Sequence, residues 1–223
     1  MHIPDGFIDL RTSAAFAAVS TVAVAGAVKG ARKQLSEQSA PLAGLTAVFI
    51  FAVQMLNFPV AAGTSGHLIG AALAMVLVGP YAATLALVVV LIIQAFLFAD
   101  GGLTALGLSI FNMAVISVWV SFGVFMLLKK IFPKTKSWLV IATFVSALIS
   151  VPAAAIGFVI QYAIGANATF SVGTVLNAMV GTHILIGIGE AIITALTVSA
   201  VLASRSDLVF GWDNKNIKLE IRS

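Results

Sequence analysis

A chain of 223 residues that is 61% hydrophobic and only 9% charged is not a soluble globular domain, because such domains carry about 25% charged residues. The absence of cysteine excludes disulfides, thiolate metal sites and cysteine nucleophiles together. A formal net charge of +4 does not point to nucleic acid, since the basic residues sit in short segments between apolar runs, and residues 1–223 read as one all-α, polytopic membrane domain.

Residues 1–11 form the first element, a polar segment expected outside the membrane. A histidine at position two gives a metal three nitrogens in one plane: the Met1 α-amine, the His2 amide nitrogen and the His2 imidazole. One further imidazole completes a square of four nitrogens, a geometry of Ni(II) or Cu(II) rather than Zn(II), Mg(II) or Ca(II). The bulk of His2 argues that Met1 is kept. A cleaved signal peptide ending near Ala23-Val24-Ala25 competes with this reading, but Asp5 and Asp9 outweigh Arg11, so the basic leader region is missing.

Apolar runs predict helices over 12–29, 41–58, 66–79, 81–99, 105–128, 138–164 and 175–203, about seven transmembrane helices in all. Gly79-Pro80 splits 66–99 into two helices with a tight turn. The sixth and seventh are long for a span, which implies tilt or extension beyond the bilayer. Lys29, Arg32 and Lys33 follow the first helix; Lys129, Lys130, Lys134 and Lys136 follow the fifth; Arg205, Lys215, Lys218 and Arg222 follow the seventh. Seven crossings place all three clusters on one side, which the positive-inside rule makes cytoplasmic. The N-terminus is then outside and residues 204–223 form a cytoplasmic tail. The outer face collects residues 1–9, the 59–67 loop, Asp100-Gly101-Gly102 and the 165–174 loop.

Taken in order, the candidate residues begin with Gly63-Thr64-Ser65-Gly66-His67. Thr64 or Ser65 is expected to cap the third helix, with His67 in its first turn as the remaining imidazole ligand. Asp100 reads either as an ordinary helix-end carboxylate or as the acceptor that orients a ligand histidine. Glu190 lies mid-helix with His183 two turns earlier and Gly187 between, a face expected to line a polar interior. Gln54, Gln94, Gln161 and Asn112 read as contacts between helices. Gly63-Thr64-Ser65-Gly66 with His183 also matches the serine and histidine of rhomboid-like intramembrane proteases, a dyad on two helices. An ion-coupled carrier with Glu190 exchanging protons is a further alternative. No HExxH or Walker-type motif is present.

Four motifs in sequence order resemble the CbiM/NikM family: Met1-His2-Ile3-Pro4-Asp5-Gly6-Phe7, the run from Gly63 to Gly70, the run from Ile93 to Gly107, and His183 to Ala191. These proteins are substrate-binding (S) components of energy-coupling-factor transporters for cobalt and nickel. Ser109 stands where the family usually has asparagine. The resemblance implies a helical bundle with one helix added at its N-terminus, and Ni2+ or Co2+ held by Met1, His2 and His67. Asp5, Thr64, Ser65, Asp100, His183 and Glu190 are the expected supporting residues. It implies as partners a transmembrane coupling protein (T component), two ATPase subunits and a small accessory membrane protein, with no prosthetic group and no nucleic acid. The small-residue pairs Gly26/Gly30 and Ala43/Ala47 allow close helix approach, for docking or for internal packing.

Overall fold

In the computed structural model residues 1–35, 40–60 and 64–212 are described, with the backbone alone for Phe58 and Thr64. The chain folds as a helical bundle. The helices are α1 (Leu10–Gln34), α2 (Ala40–Gln54), α3 (Ala71–Val78), α4 (Pro80–Leu97), α5 (Leu106–Ile131), α6 (Lys136–Gly165) and α7 (Val172–Ser204). Five of the seven, α1 and α4 to α7, are long and apolar enough to cross a membrane; α2 is a shorter apolar helix. Asp9, Thr135 and Ser171 start α1, α6 and α7 by accepting main-chain N–H bonds from residues three positions on. Gly79, at φ 80°, makes the reversal between α3 and α4, with Pro80 as first residue of the latter.

Two boundaries differ from expectation. The helix expected over 41–58 stops at Gln54, and Phe58–Val60 pairs antiparallel with Thr64–Gly66, Pro59 opposite Ser65. The helix expected over 66–79 starts at Ala71, so neither Thr64 nor Ser65 caps it and His67 lies outside its first turn. All eight residues of α3 are buried. The helix is short because other parts of the chain fill the bundle at both of its ends. At its C-terminal end Phe210 N–H and Gly211 N–H donate to the carbonyls of Leu77 and Val76, so the tail folds back into the bundle as far as Trp212.

The basic segments gather at one end, as the spacing of the clusters predicts. Gln34 lies against Gly79, Lys129 donates to Gly211 O, and Lys136 donates to Leu202 O at 2.8 Å. Lys215, Lys218 and Arg222 lie outside the described residues. Gly30 makes room for the Tyr81 ring, so it serves packing inside the bundle, while Gly26 faces open space. Gly187 does not line a polar interior: it meets α6 at Leu148 O and Pro152. Proline lacks the N–H that would take up that carbonyl four residues back, and the missing side chain of Gly187 lets α7 sit against it.

Candidate metal site

The N-terminal segment turns inward at Pro4-Asp5-Gly6-Phe7. Phe7 N–H donates to Pro4 O at 3.3 Å and Gly6 takes φ 76°, the left-handed value required at the third position of a type II turn. Phe7 packs on Phe158 and Tyr162, with ring centroids 5.8 and 5.1 Å away. Main-chain bonds hold the rest: Gly102 N–H to Ile3 O at 2.8 Å, Asn167 N–H to Phe7 O at 3.2 Å and Asp9 N–H to Gly165 O at 2.7 Å. A side chain at Gly102 would collide with the Asp5 backbone, and one at Gly101 would crowd His2. The glycine pair after α4 is thus the cradle for residues 1–5. Met1 and Ile3 are fully buried and His2 is 5% exposed.

Around His2 the other candidates assemble. Its amide N–H donates to Ser65 Oγ at 3.3 Å. Its ring stacks on His67, centroids 4.7 Å apart and planes 29° apart. Its Nε2 lies 3.5 Å from Asp100 Oδ2, a close approach rather than a formed hydrogen bond. Asp100 in turn accepts from Asn57 Nδ2, at 3.3 Å to each oxygen. Ala99, just before it, adopts φ 51°, a left-handed conformation costing a residue with a side chain about 1–2 kcal/mol. That turn brings Asp100 N–H back to Gln94 O and sets the carboxylate beside His2. His2, Asp100, Ser65 and Gly101 line a cleft of about 260 Å³ open to the surface.

His67 sits in the segment between the strand Thr64–Gly66 and α3. Its Nδ1–H donates to Leu68 O at 2.8 Å, which leaves the lone pair on Nε2, a buried atom without a hydrogen-bond partner. His183 repeats the pattern, Nδ1–H to Met179 O at 2.7 Å with Nε2 buried and unbonded. It is within electrostatic range of the Met1 amine and of His67. Burial lowers the Met1 amine well below its ordinary 8.0, opposed by the Asp100 charge. Burial, reinforced by the amine, takes His2 down to about 2 and His67 well below its usual range. Burial raises Asp100, against the pull of the amine and Asn57. The His2 and His67 imidazoles are therefore neutral at neutral pH, and the Met1 amine gives up its proton more readily than an exposed one. Among the described residues no three His, Asp or Glu side chains form a metal cluster.

The segment carrying His67 is clamped from two helices. Glu190 on α7 accepts Ile69 N–H at 2.6 Å and Gly70 N–H at 3.0 Å. Gln54 on α2 donates to Ile69 O at 2.8 Å. Glu190 thus supplies the N-terminal cap that α3 lacks locally. Gln54, expected to contact another helix, instead holds the main chain of the His67 segment, and Asn57, which the sequence did not mark, holds Asp100; their shared signal is position next to the hairpin. Asp5 faces solvent and accepts Thr104 N–H at 2.8 Å and Thr104 Oγ–H at 2.6 Å, bonds that hold it below the ordinary carboxylate range. It ties the N-terminal segment to the connection before α5 and does not enter the cluster. The Thr64 side chain lies outside what is described. Ser65 makes no hydrogen bond to His183 among the described residues; its hydroxyl is taken by the His2 amide.

Residues 2–208 match the family model described as "Cobalt uptake substrate-specific transmembrane region". A protein of Haloquadratum walsbyi, provisionally named for metal transport, is 37% identical over the full length of both chains. The fused nickel transport protein NikMN of Rhodobacter capsulatus is 33% identical across 94% of this chain and 64% of its own length. The crystal structure of a transition metal transporter aligns over 100% of this chain and 99% of its own, with a TM-score of 0.85 at 29% identity.

Proposed function

Because this chain belongs to the cobalt uptake substrate-specific transmembrane family, we propose that it captures a Ni(II) or Co(II) ion on the outer face of a prokaryotic plasma membrane, as the S component of an ATP-driven energy-coupling-factor transporter. It is a multi-pass membrane protein. One observation carries the ligand assignment: a buried primary amine beside buried imidazole nitrogens with no hydrogen-bond partner. Buried polar groups left unpaired call for a partner, and a borderline-soft cation is the partner that neutral nitrogens fit.

In this reading the Met1 amine, the His2 amide nitrogen and His2 Nδ1 close fused chelate rings, and His67 Nε2 supplies the fourth corner. His2 Nδ1 is the ring nitrogen nearer the backbone, which leaves Nε2–H to face Asp100. The His67 tautomer set by Leu68 leaves Nε2 as its donor atom. Metal binding requires the His2 amide to lose its proton, so the Ser65 hydroxyl must turn from acceptor to donor. We assign Ni(II) preference over Co(II), since a planar nitrogen field suits Ni(II) and the affinity order of divalent ions places it above Co(II). Inward passage is assigned to the complex with a transmembrane coupling protein, two ATPase subunits and a small accessory membrane protein.

The test is titration of Ni(II) and Co(II) into the purified chain, read by the planar d–d absorption band. His2→Ala and His67→Ala each abolish the band, while Ser65→Ala keeps it. A Ser65→Ala variant that loses metal as completely as His67→Ala overturns the ligand set, and peptide cleavage abolished by Ser65→Ala supports the protease instead. Uptake that proceeds without any ATPase supports an ion-coupled carrier.

A further inference from the structure

At the end of the bundle opposite the metal site, where α5 leaves the apolar layer and α6 re-enters it, a groove of about 230 Å³ opens to the outside. Its floor is apolar: Phe125, Leu128, Leu139 and Ala142. Its rim is aromatic and basic. Phe132 and Trp138 stack face to face, centroids 4.4 Å apart and planes 8° apart, and Trp212 closes the third side. Lys134 and Thr135 stand at the mouth, exposed, and no carboxylate lines the groove among the described residues. Lys130 is also exposed, and among the described residues neither it nor Lys134 forms an ion pair.

We propose that this groove is a binding site for one anionic phospholipid, its phosphate on Lys134 and Thr135 and its upper acyl chain on Phe125, Leu128, Leu139 and Ala142. Three features select that occupant. The groove lies where the chain passes between apolar helix and polar connection, the depth of a headgroup. Tryptophan and phenylalanine rings at that depth match the interfacial aromatic belt. The charge at the mouth is positive, no described residue on the groove offsets it, and basic residues beside a membrane attract anionic lipid by about fivefold each. A neutral lipid would leave the Lys134 charge unanswered, and the apolar floor gives nothing to a soluble anion.

The chain's three tryptophans make the test direct, since two line the groove and Trp119 packs elsewhere, on Tyr81 and Phe122. The full chain carrying Trp119→Phe is placed in phosphatidylcholine nanodiscs, with phosphatidylglycerol or phosphatidylcholine brominated on the acyl chains as the quenching component. Phosphatidylglycerol should quench at a mole fraction about fivefold lower than phosphatidylcholine, and Lys134→Gln should remove that preference while Lys33→Gln, on α1, keeps it. Equal quenching by the two lipids overturns the proposal. So does a preference unchanged in Lys134→Gln, and so does protection of Trp138 by added partner subunits but by neither lipid, which would assign the groove to a protein contact.

Discussion

Glu190→Gln isolates the clamp on the metal loop without touching a ligand. The carboxylate accepts Ile69 N–H at 2.6 Å and Gly70 N–H at 3.0 Å. Glutamine has the same shape, but it keeps one acceptor and turns an NH2 donor toward the other N–H. One charge-assisted bond is lost, at about 1.5–3 kcal/mol, and the other becomes neutral and weaker, for a total of about 2–4 kcal/mol. No local side chain substitutes, because the α3 N-cap is Gly70. The cost falls on residues 67–70, which the proposed ligand set requires in place to present His67. If the loop opens in the metal-free variant, the whole cost enters the dissociation constant, about 30- to 1000-fold weaker binding. Competitive Ni(II) titration of the purified chain measures it, with thermal unfolding alongside. The planar absorption band at saturation should be unchanged, since every ligand remains. An affinity within about threefold of the parent, with unaltered unfolding temperature, refutes the clamp.

A three-residue extension before Met1 moves the primary amine by about 10 Å and replaces it with an amide, so Ni(II) affinity should fall at least about 100-fold and the planar band should vanish; undiminished binding in equilibrium dialysis contradicts the ligand set. Asp100→Ala removes the carboxylate beside His2 Nε2 and should weaken metal binding about 10- to 100-fold, with Asn57→Ala acting in the same direction by less. Both are read by the same titration, and an unchanged Asp100→Ala assigns that residue to the helix end alone. Metal-free stability should fall on acidification. Burial depresses the Met1 amine and His2 below 8.0 and 6.5, so the unfolded chain binds more protons between the lowered and the ordinary values, and stability rises with pH through that interval. Asp100, raised from 3.8, contributes with the opposite sign above that value, so unfolding temperatures above the range where Asp100 titrates carry the test. A flat profile there, or one unaltered by His2→Ala, removes the buried neutral nitrogens from the account.

Helix number and the gathering of basic segments at one end were legible because they depend on runs of apolar residues and the charges between them. Met1 and His2 stood out as candidates because a position-two histidine has chemistry of its own, and the structure buries both beside His67. The start of α3 was not. Gly66 to Gly70 is as apolar as a helix, and what stops it being one is Glu190, 120 positions from Gly70, capping the main chain at Ile69 and Gly70. Residues 55–58 failed for a related reason: Pro59 bars helix beyond it, but the pairing of Phe58–Val60 with Thr64–Gly66 that replaces the helix is a tertiary choice. The polar face expected from His183, Gly187 and Glu190 divides into three roles. His183 donates to Met179 O within electrostatic range of the Met1 amine, Glu190 holds the loop and Gly187 meets a carbonyl freed by Pro152. A shared helix face fixes direction within about a turn, and neighbours decide the rest.

The same geometry bears on which ions the site rejects. Mg(II) and Ca(II) need several hard oxygen ligands, and the carboxylates near His2 are already committed. Asp100 accepts from Asn57 and faces an imidazole, while Asp5 is held by Thr104 and points to solvent. The cleft itself is lined by His2, Ser65 and these two carboxylates, while Met1 and His67 do not line it. Burial lowers the Met1 amine, His2 and His67 below their ordinary values, a desolvation cost met by packing of Ile3, Phe7 and Ile8 against the bundle. A metal that can use neutral nitrogen recovers that cost as affinity, and one that cannot gains nothing for shedding its own hydration shell. On the proposed ligand set, discrimination against the abundant hard cations rests on the folding of residues 1–9, and displacing them through Gly102→Ala should weaken Ni(II) binding while leaving the remainder of the bundle folded.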